Sequence, residues 1–392
     1  MREVRESRRD TREILLNNVE EIRATLSAQI EDEEKSARFS RASSDALYDA
    51  GVLRMKLPIA LGGFEADLVT QFEVLEAVSM ISPAAGWCSM VGATSVGLPG
   101  AFLPQGGIDK MFANGAIPRG AILIMPSGQA FPIDGGYRLT GRWSFASAVH
   151  HADWIGAHGM VRETPAAEPV LHMFVFPSGE IKIHDNWDVL GLRGTGSCDI
   201  SVDDIFVPSE CAWNVVSQPP QRGGPLFRLG IPAFVANEHA AFATGVARRA
   251  LEILSAEAIN KKRGYGPGAK SLAARETLQR FIGHGDLKLR SARALAMELN
   301  RQAMDVIDAG DDIDERLALE LRSIACYCTE VATEIVTQAF RYSGASSIFE
   351  KSEMQRCLRD INVAAQHLMV SEVAYELLGQ THLGYTDVAP MG

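Results

Sequence analysis

The sequence predicts an α+β protein laid out in three stretches: a helical domain over 1–112, a β domain over 113–217 and a helical bundle over 218–392. Three features of the chain carry this. Apolar residues recur at helical spacing up to about Met111. From roughly 113 to 215 they alternate at period two between glycine-marked turns. Long helical periodicity then returns after the Gly/Pro segment Gln218 to Pro225.

In order, Ile14, Val19, Ile22 and Leu26 recur among charges and predict a first helix. Asp45-Ala46-Leu47-Tyr48 opens a second, which Gly51 stops. Leu57-Pro58 and Leu61-Gly62-Gly63 form a loop, and helices resume from about Thr70. From Ala77 to Ile108 no residue is charged, but Pro83, Pro99 and Pro104 break this Gly/Ser/Ala-rich run. A membrane span needs ~20 strongly apolar residues, so the run reads as a buried helical hairpin able to keep water from a site. Asp134-Gly135-Gly136 reads as a hairpin turn with Tyr137-Arg138-Leu139-Thr140 alternating after it. Leu171 to Phe176, Ile181 to His184 and Ile200 to Asp203 are further strands of a small antiparallel β domain. Leu278, Phe281, Ile282, Leu289 and Leu295 share one helical face, 317 to 342 continues the pattern, and a third run goes from Met354 to Leu378. Long helices with short joins make a bundle.

The 392 residues carry 38 Lys+Arg and 49 Asp+Glu, a net charge of −11, which argues against nucleic acid as a main partner. Hydrophobic residues at 46% and charged residues at 22% exclude a disordered or collagen-like chain. Six cysteines in this length, without a CxxC, make neither a disulfide framework nor a zinc site; they read as buried thiols in a reducing cytoplasm. The N-terminus is charged from its second residue and shows no apolar signal-peptide core. No phosphate loop, HExxH, GxSxG or EF-hand pattern occurs. Gly264-Tyr265-Gly266-Pro267-Gly268 matches a dinucleotide fingerprint only in glycine count, since it follows a helix and contains a proline.

Two glycine-rich segments stand out, Gly141-Arg142-Trp143-Ser144-Phe145-Ala146-Ser147-Ala148 and Leu190-Gly191-Leu192-Arg193-Gly194-Thr195-Gly196-Ser197. Tryptophan, small hydroxyls and glycines on a β surface suit a flat aromatic cofactor: glycine admits a ring to the backbone, tryptophan stacks, and hydroxyls bond ring heteroatoms. The same residues also make ordinary turns beside a core tryptophan.

With Leu190 to Ile200, Val207-Pro208 and Gln355-Arg356-Cys357-Leu358-Arg359-Asp360, the chain resembles the acyl-CoA dehydrogenase superfamily over nearly its whole length. The resemblance implies an N-terminal helical domain, a middle antiparallel β-barrel and a C-terminal four-helix bundle, with flavin bound between β domain and bundle and tetramers formed through the bundle. It sets Trp143, Phe145, Ala146 and Ser147 against the flavin ring, with Ser147 near N5 and O4. It makes Thr195 and Ser197 a second flavin-facing turn, gives Arg263 (or Lys262, which fits the spacing equally well) and Tyr265 to cofactor phosphates, and sets Arg341 and Gly344 in the cofactor-binding element where dehydrogenases carry Gln-x-x-Gly-Gly. Phe340 stands where dehydrogenases carry a glutamine, a departure that weakens retention of FAD.

A second departure concerns the base. After Arg359-Asp360 the dehydrogenases place a glutamate, whereas here Ile361 to Leu368 holds no carboxylate and His367 stands close to its place. Removing a proton beside a thioester needs a carboxylate in reach. A histidine there, with the Trp-x-Phe-x-Ser pattern, is similar to the two-component flavin monooxygenases of this superfamily. That implies reduced FMN or FAD supplied in trans by a separate NAD(P)H reductase, dioxygen as co-substrate, and oxygen passed from a flavin C4a-hydroperoxide to an aromatic or heteroaromatic small molecule, phenolic or indolic. His367 and Ser147 are then the catalytic candidates, and Trp87, Met90, Ser95, Phe234 and His239 the substrate contacts. No residue is assigned to a metal. Two rivals remain at this stage: an acyl-CoA dehydrogenase or oxidase with a displaced base, and a flavin-free binding or non-redox protein on the same fold.

Overall fold

The computed structural model describes residues 2–164, 167–263, 270–386 and 388–389, and the chain divides into two compact units. The first comprises Met1–Asp67, Trp87–Val189 and Arg193–Arg228; the second comprises Leu68–Gly86, Leu190–Leu192 and Leu229–Gly392.

Helices α1 (Arg2–Ser36) and α2 (Arg41–Asp49) open the first unit. The α2 helix begins four residues before Asp45 because the Ser40 hydroxyl accepts the Ser43 N–H, and Gly51, at φ 78°, follows its end. Next come α3 (Leu68–Ile81), whose residues belong to the second unit, then α4 (Pro83–Phe102) and α5 (Gln105–Met111). Small residues on α4 serve close packing: a Cβ on Gly97 would lie 3.1 Å from the Lys56 carbonyl oxygen, and the fully buried Lys56 ammonium reaches Thr94 Oγ1 at 3.1 Å. Among the described residues no helix is long and apolar enough to cross a membrane.

The strands of the first unit are β1 (Gly120–Ile133), β2 (Gly136–Ala146), β3 (Trp154–Val161), β4 (Val170–Pro177), β5 (Lys182–His184), β6 (Cys198–Pro208) and β7 (Ala212–Asn214). They form one sheet in the order β5-β6-β2-β1-β3-β4-β7. The expected antiparallel barrel is therefore corrected to an open, mixed sheet, because β1 and β3 run parallel. The reason is the path of the chain. After the Asp134-Gly135 hairpin, β2 finishes level with the start of β1. Residues 147–153 then carry the chain to the far side of β1, so Trp154 falls opposite Gly120 and β3 must run with β1. The β1–β3 register shifts between Leu123 and Gly128, a bulge.

Trp143 sits in the heart of this sheet, 1% exposed, with its indole N–H on the His158 carbonyl at 2.8 Å. A Cβ on Gly141 or Gly128 would lie 2.5 or 2.6 Å from the Trp143 ring. Those glycines do admit a ring to the backbone, and the ring is the protein's own.

In the second unit α3 packs with α6 (Gly230–Asn260), α7 (Glu276–Asp308), α8 (Glu315–Ser343), α9 (Glu353–Ala364) and α10 (Val373–His382). Gly245 lets α6 approach α3 closely, since a Cβ there would meet the Glu76 carbonyl at 2.6 Å. Arg293 on α7 grips the Glu76 carboxylate at 2.8 Å, and Asp314 caps α8 through the Leu317 N–H at 2.7 Å. The expected single run from Met354 to Leu378 is corrected to two helices. The chain turns extended at His367 (φ −73°, ψ 139°), makes one 3₁₀ turn over Leu368–Val370 and starts again at Val373.

Candidate active site

In the first unit, a chain of hydroxyls closes the end of β2. The Ser147 and Ser197 hydroxyls lie 2.7 Å apart, and Ser197 is 2.7 Å from Thr195 Oγ1. The Trp87 indole N–H donates to Ser147 Oγ at 3.2 Å. All three hydroxyl residues are buried, at 2%, 3% and 0% exposure. The backbone around them is committed: Phe145 and Ala148 have φ of 70° and 57°, and the Ala148 N–H donates to the Thr195 carbonyl at 3.0 Å. Positive φ in non-glycine residues costs energy and concentrates at functional sites. Beside the chain, Phe145 stands 68% exposed, edge-on to Trp187 at 6.1 Å. A flat heteroaromatic needs an apolar face and a polar edge, and an exposed phenyl ring next to buried hydroxyls fits a flavin ring.

In the second unit, the break between α9 and α10 presents His367. Its Nδ1 accepts the Met369 N–H at 3.3 Å, so the neutral ring carries its proton on Nε2. Burial lowers its pKa to about 4, leaving the imidazole uncharged at neutral pH. Its ring centroid is 4.4 Å from that of His239 on α6, at 30°. The break is fastened from α8: Arg322 Nη2 donates to the Leu368 carbonyl at 3.2 Å, Cys326 Sγ to Val370 at 3.1 Å and Ser323 Oγ to Ala374 at 3.1 Å. His367 lines an open cleft with Arg322, Ala365, Gln366, Leu368, Ser371 and Val373, none of them acidic. The flanking carboxylates are placed elsewhere. Asp360 is buried and accepts the Leu192 N–H at 2.6 Å, and Glu372 is exposed.

Two signature segments prove to be each other's partners. A Cβ on Gly191 would sit 2.4 Å from the Arg359 carbonyl oxygen, and Arg359 Nη1 returns a hydrogen bond to the Leu190 carbonyl at 2.6 Å. Leu190-Gly191-Leu192 and Arg359-Asp360 therefore form a structural latch, which spacing 168 residues apart could not reveal.

The structure brings Trp87, Ser147, Thr195 and Ser197 together, and separately His239 with His367. Trp143 does not join the first group; its ring fills the sheet core. Ala146 is fully buried beside it. Met90 and Phe234 are buried at 4% and 2%, and Ser95 bonds the Gly92 carbonyl at 2.6 Å. Arg341 is exposed in the last turn of α8, and Gly344 follows it at φ 69°. Arg263 is described only as the end of the short strand Lys262–Arg263; Tyr265 and the Gly264–Gly268 segment lie outside the described residues. Lys261, which no motif flagged, bonds the Ser343 carbonyl and the Ser346 hydroxyl at the end of α8. All six cysteines are buried and free.

Three kinds of comparison bear on this geometry. Residues 238–372 match the family model "Acyl-CoA dehydrogenase, C-terminal domain". The chain is 30% identical over 358 residues to indole-3-acetate monooxygenase of Pseudomonas putida, covering 91% of this chain and 90% of that protein. It is 25% identical to the flavin-dependent monooxygenase oxygenase subunit HsaA of Rhodococcus jostii, over 92% and 96% of the two chains. Among solved structures, XiaF from Streptomyces in complex with FADH2 and glycerol superposes with a TM-score of 0.89 at 23% identity, covering 99% of each chain.

Proposed function

The chain belongs to the acyl-CoA dehydrogenase superfamily, in its two-component flavin-dependent monooxygenase branch, and from that premise we propose an oxygenase acting on an indolic or phenolic ring. It is an oxidoreductase that uses reduced flavin and dioxygen on an aromatic small molecule. The name of the P. putida relative favours an indole, with indole-3-acetate as the first compound to try.

The observation that carries this reading is the uncharged imidazole of His367 in a cleft without a carboxylate. Dehydrogenation beside a thioester needs a carboxylate base at the reacting carbon. His367 instead offers an Nε2–H donor at neutral pH, able to orient an oxygen-bearing group. Reduced flavin, when bound, would supply the electrons that activate dioxygen, and dioxygen the oxygen atom that is transferred. Ser147 is the hydroxyl we read as facing the flavin N5–H, with Ser197 and Thr195 fixing its orientation and Trp87 occupying one of its lone pairs. A hydroxyl held this way keeps the N5 proton in place, which disfavours wasteful release of peroxide. Buried walls such as α4 exclude the water that would promote the same loss. We further read the protein as a homotetramer served by a separate NAD(P)H flavin reductase, and as cytoplasmic, in keeping with six buried free thiols.

The test is to mix anaerobic protein with reduced FMN or FADH2 and indole-3-acetate, admit oxygen, and follow flavin absorbance and product. Tight binding of reduced flavin, a transient oxygen-dependent absorbance and an oxygenated indole are expected. No affinity for flavin in either redox state would return the flavin-free alternative, and bleaching of bound FAD by an acyl-CoA would return the dehydrogenase.

A further inference from the structure

The direction of the His367 Nε2–H depends on how the imidazole is turned about its Cβ–Cγ bond, a torsion with broad, soft wells. The Met369 N–H engages one edge of the ring at 3.3 Å and so sets the tautomer. A face of the ring is engaged separately. His239 lies against it with the ring centroids 4.4 Å apart and the planes 30° from parallel, a close, slightly tilted stack. The two rings stand on elements of different character. His239 is buried in the 31-residue helix α6, whereas His367 sits on the non-helical break between α9 and α10. At this level α6 is tied to α3, because Asn237 Nδ2 reaches the Leu68 carbonyl at 3.3 Å and Gln71 Oε1 at 3.4 Å. Burial keeps His367 uncharged at neutral pH, so the face contact carries no like-charge repulsion.

We propose that His239 is a positioning residue for the oxygenation: its ring, lying on one face of His367, fixes the direction in which the His367 Nε2–H points. The inference rests on the monooxygenase reading above and adds a residue to its machinery. A donor aimed at a reacting group must be held within about 10–20° of its working direction, and a flat ring on a rigid helix supplies that restraint. His239 acts through His367, so the property required of it is a flat face rather than its nitrogens. Two competing explanations exist. A substrate contact, the role expected from the sequence, would need those nitrogens and would be felt in KM. Simple packing would need only volume and would act whether or not residue 367 is an imidazole.

The experiment compares His239→Phe, which keeps a flat ring without nitrogens, with His239→Leu and His239→Met, which fill the space without a ring. Melting temperatures show that each variant is folded, and the use of two ringless side chains keeps the outcome from hanging on one of them. With reduced flavin and indole-3-acetate, the Leu and Met variants should lower kcat about 3- to 10-fold, the range of an aromatic pair contact. KM should change less than about twofold. His239→Phe should recover most of the lost rate. Added to His367→Ala, His239→Leu should lower product formation by less than about twofold further, because the two rings act as one unit. A second readout needs neither flavin nor turnover. In protein carrying carbon-13 histidine, the Cε1–H signal of His367, identified by its disappearance in His367→Ala, feels the ring current of residue 239. It should move downfield in the Leu and Met variants and return upfield in His239→Phe. Equal losses in all three variants, a loss carried by KM alone, or a full Leu effect in the His367→Ala background each overturn the proposal. A His367 signal indifferent to residue 239 does so too. A signal that follows the ring, in a wild type that oxygenates no indole, leaves the positioning contact standing and breaks the function reading.

Discussion

The hydroxyl chain at the end of β2 and the histidine between α9 and α10 are built by opposite means. Ser147, Thr195 and Ser197 sit in turns whose own backbone is driven to positive φ at Phe145, Ala148 and Gly196, and the two turns meet through Ser147 and Ser197. His367 has an ordinary extended backbone, and what fixes its segment comes from α8 side chains 44 to 51 positions earlier in the chain. One region stores its geometry locally, in strained turns. The other borrows it from a helix. Substitutions in the first should act on the spot, whereas those around the second should act at a distance.

The largest effect expected is His367→Ala, which should cut coupled product formation about 100-fold or more while the melting temperature moves by a few degrees. Unchanged product per reduced flavin would remove the imidazole from the chemistry. Acid comes next. The His367 pKa is about 4 in the fold against an ordinary value near 6.5, so between those values the unfolded chain binds a proton that the folded one does not. Stability should therefore decline as pH falls from 6.5 to 4 and level off below, by about 3 kcal/mol at most. Denaturant titrations of wild type and His367→Gln across that window test it, and equal slopes in both would exclude His367 as the source.

Ser147→Ala leaves the Trp87 and Ser197 groups without their shared partner. About 1 kcal/mol of stability and a several-fold rise in peroxide per reduced flavin are expected, with affinity for the indole unchanged. A peroxide yield equal to wild type would detach this hydroxyl from the flavin. The smallest effect sharpens the contrast. Ser323→Ala, on α8, should cost about 1 kcal/mol and slow product formation through His367, with the rate of peroxide release in the absence of substrate, which Ser147 sets, unaffected. Identical behaviour of the Ser147 and Ser323 variants would erase the distinction between local and borrowed geometry.

What could be seen in the chain beforehand follows the same division. The Asp134-Gly135-Gly136 hairpin and the helix stop at Gly51 depend on neighbours a few residues away, and they appear where expected. The parallel pairing of β1 with β3 depends on which side of β1 the residues 147–153 pass, and no local pattern records that choice. The break at His367 was hidden because Leu368, Met369 and Val370 keep the run apolar, while its fastening to Arg322, Ser323 and Cys326 is tertiary. Trp143 misled for a chemical reason. An aromatic ring among glycines has the same sequence signature whether the close approach is made by a ligand or by the ring itself. The latch between Leu190-Gly191-Leu192 and Arg359-Asp360 shows why those motifs are so specific: each is shaped to the other's backbone.

Three carbonyls on the connection around His367 hang from neighbouring positions of a single rod, α8. Any slight roll of that rod about its long axis drags the imidazole with it, so side chains on the opposite flank of α8 become remote tuning screws for reactivity. Adaptation to a new aromatic compound can therefore begin with repacking far from the reacting atoms, in residues that no inspection of the cleft would nominate.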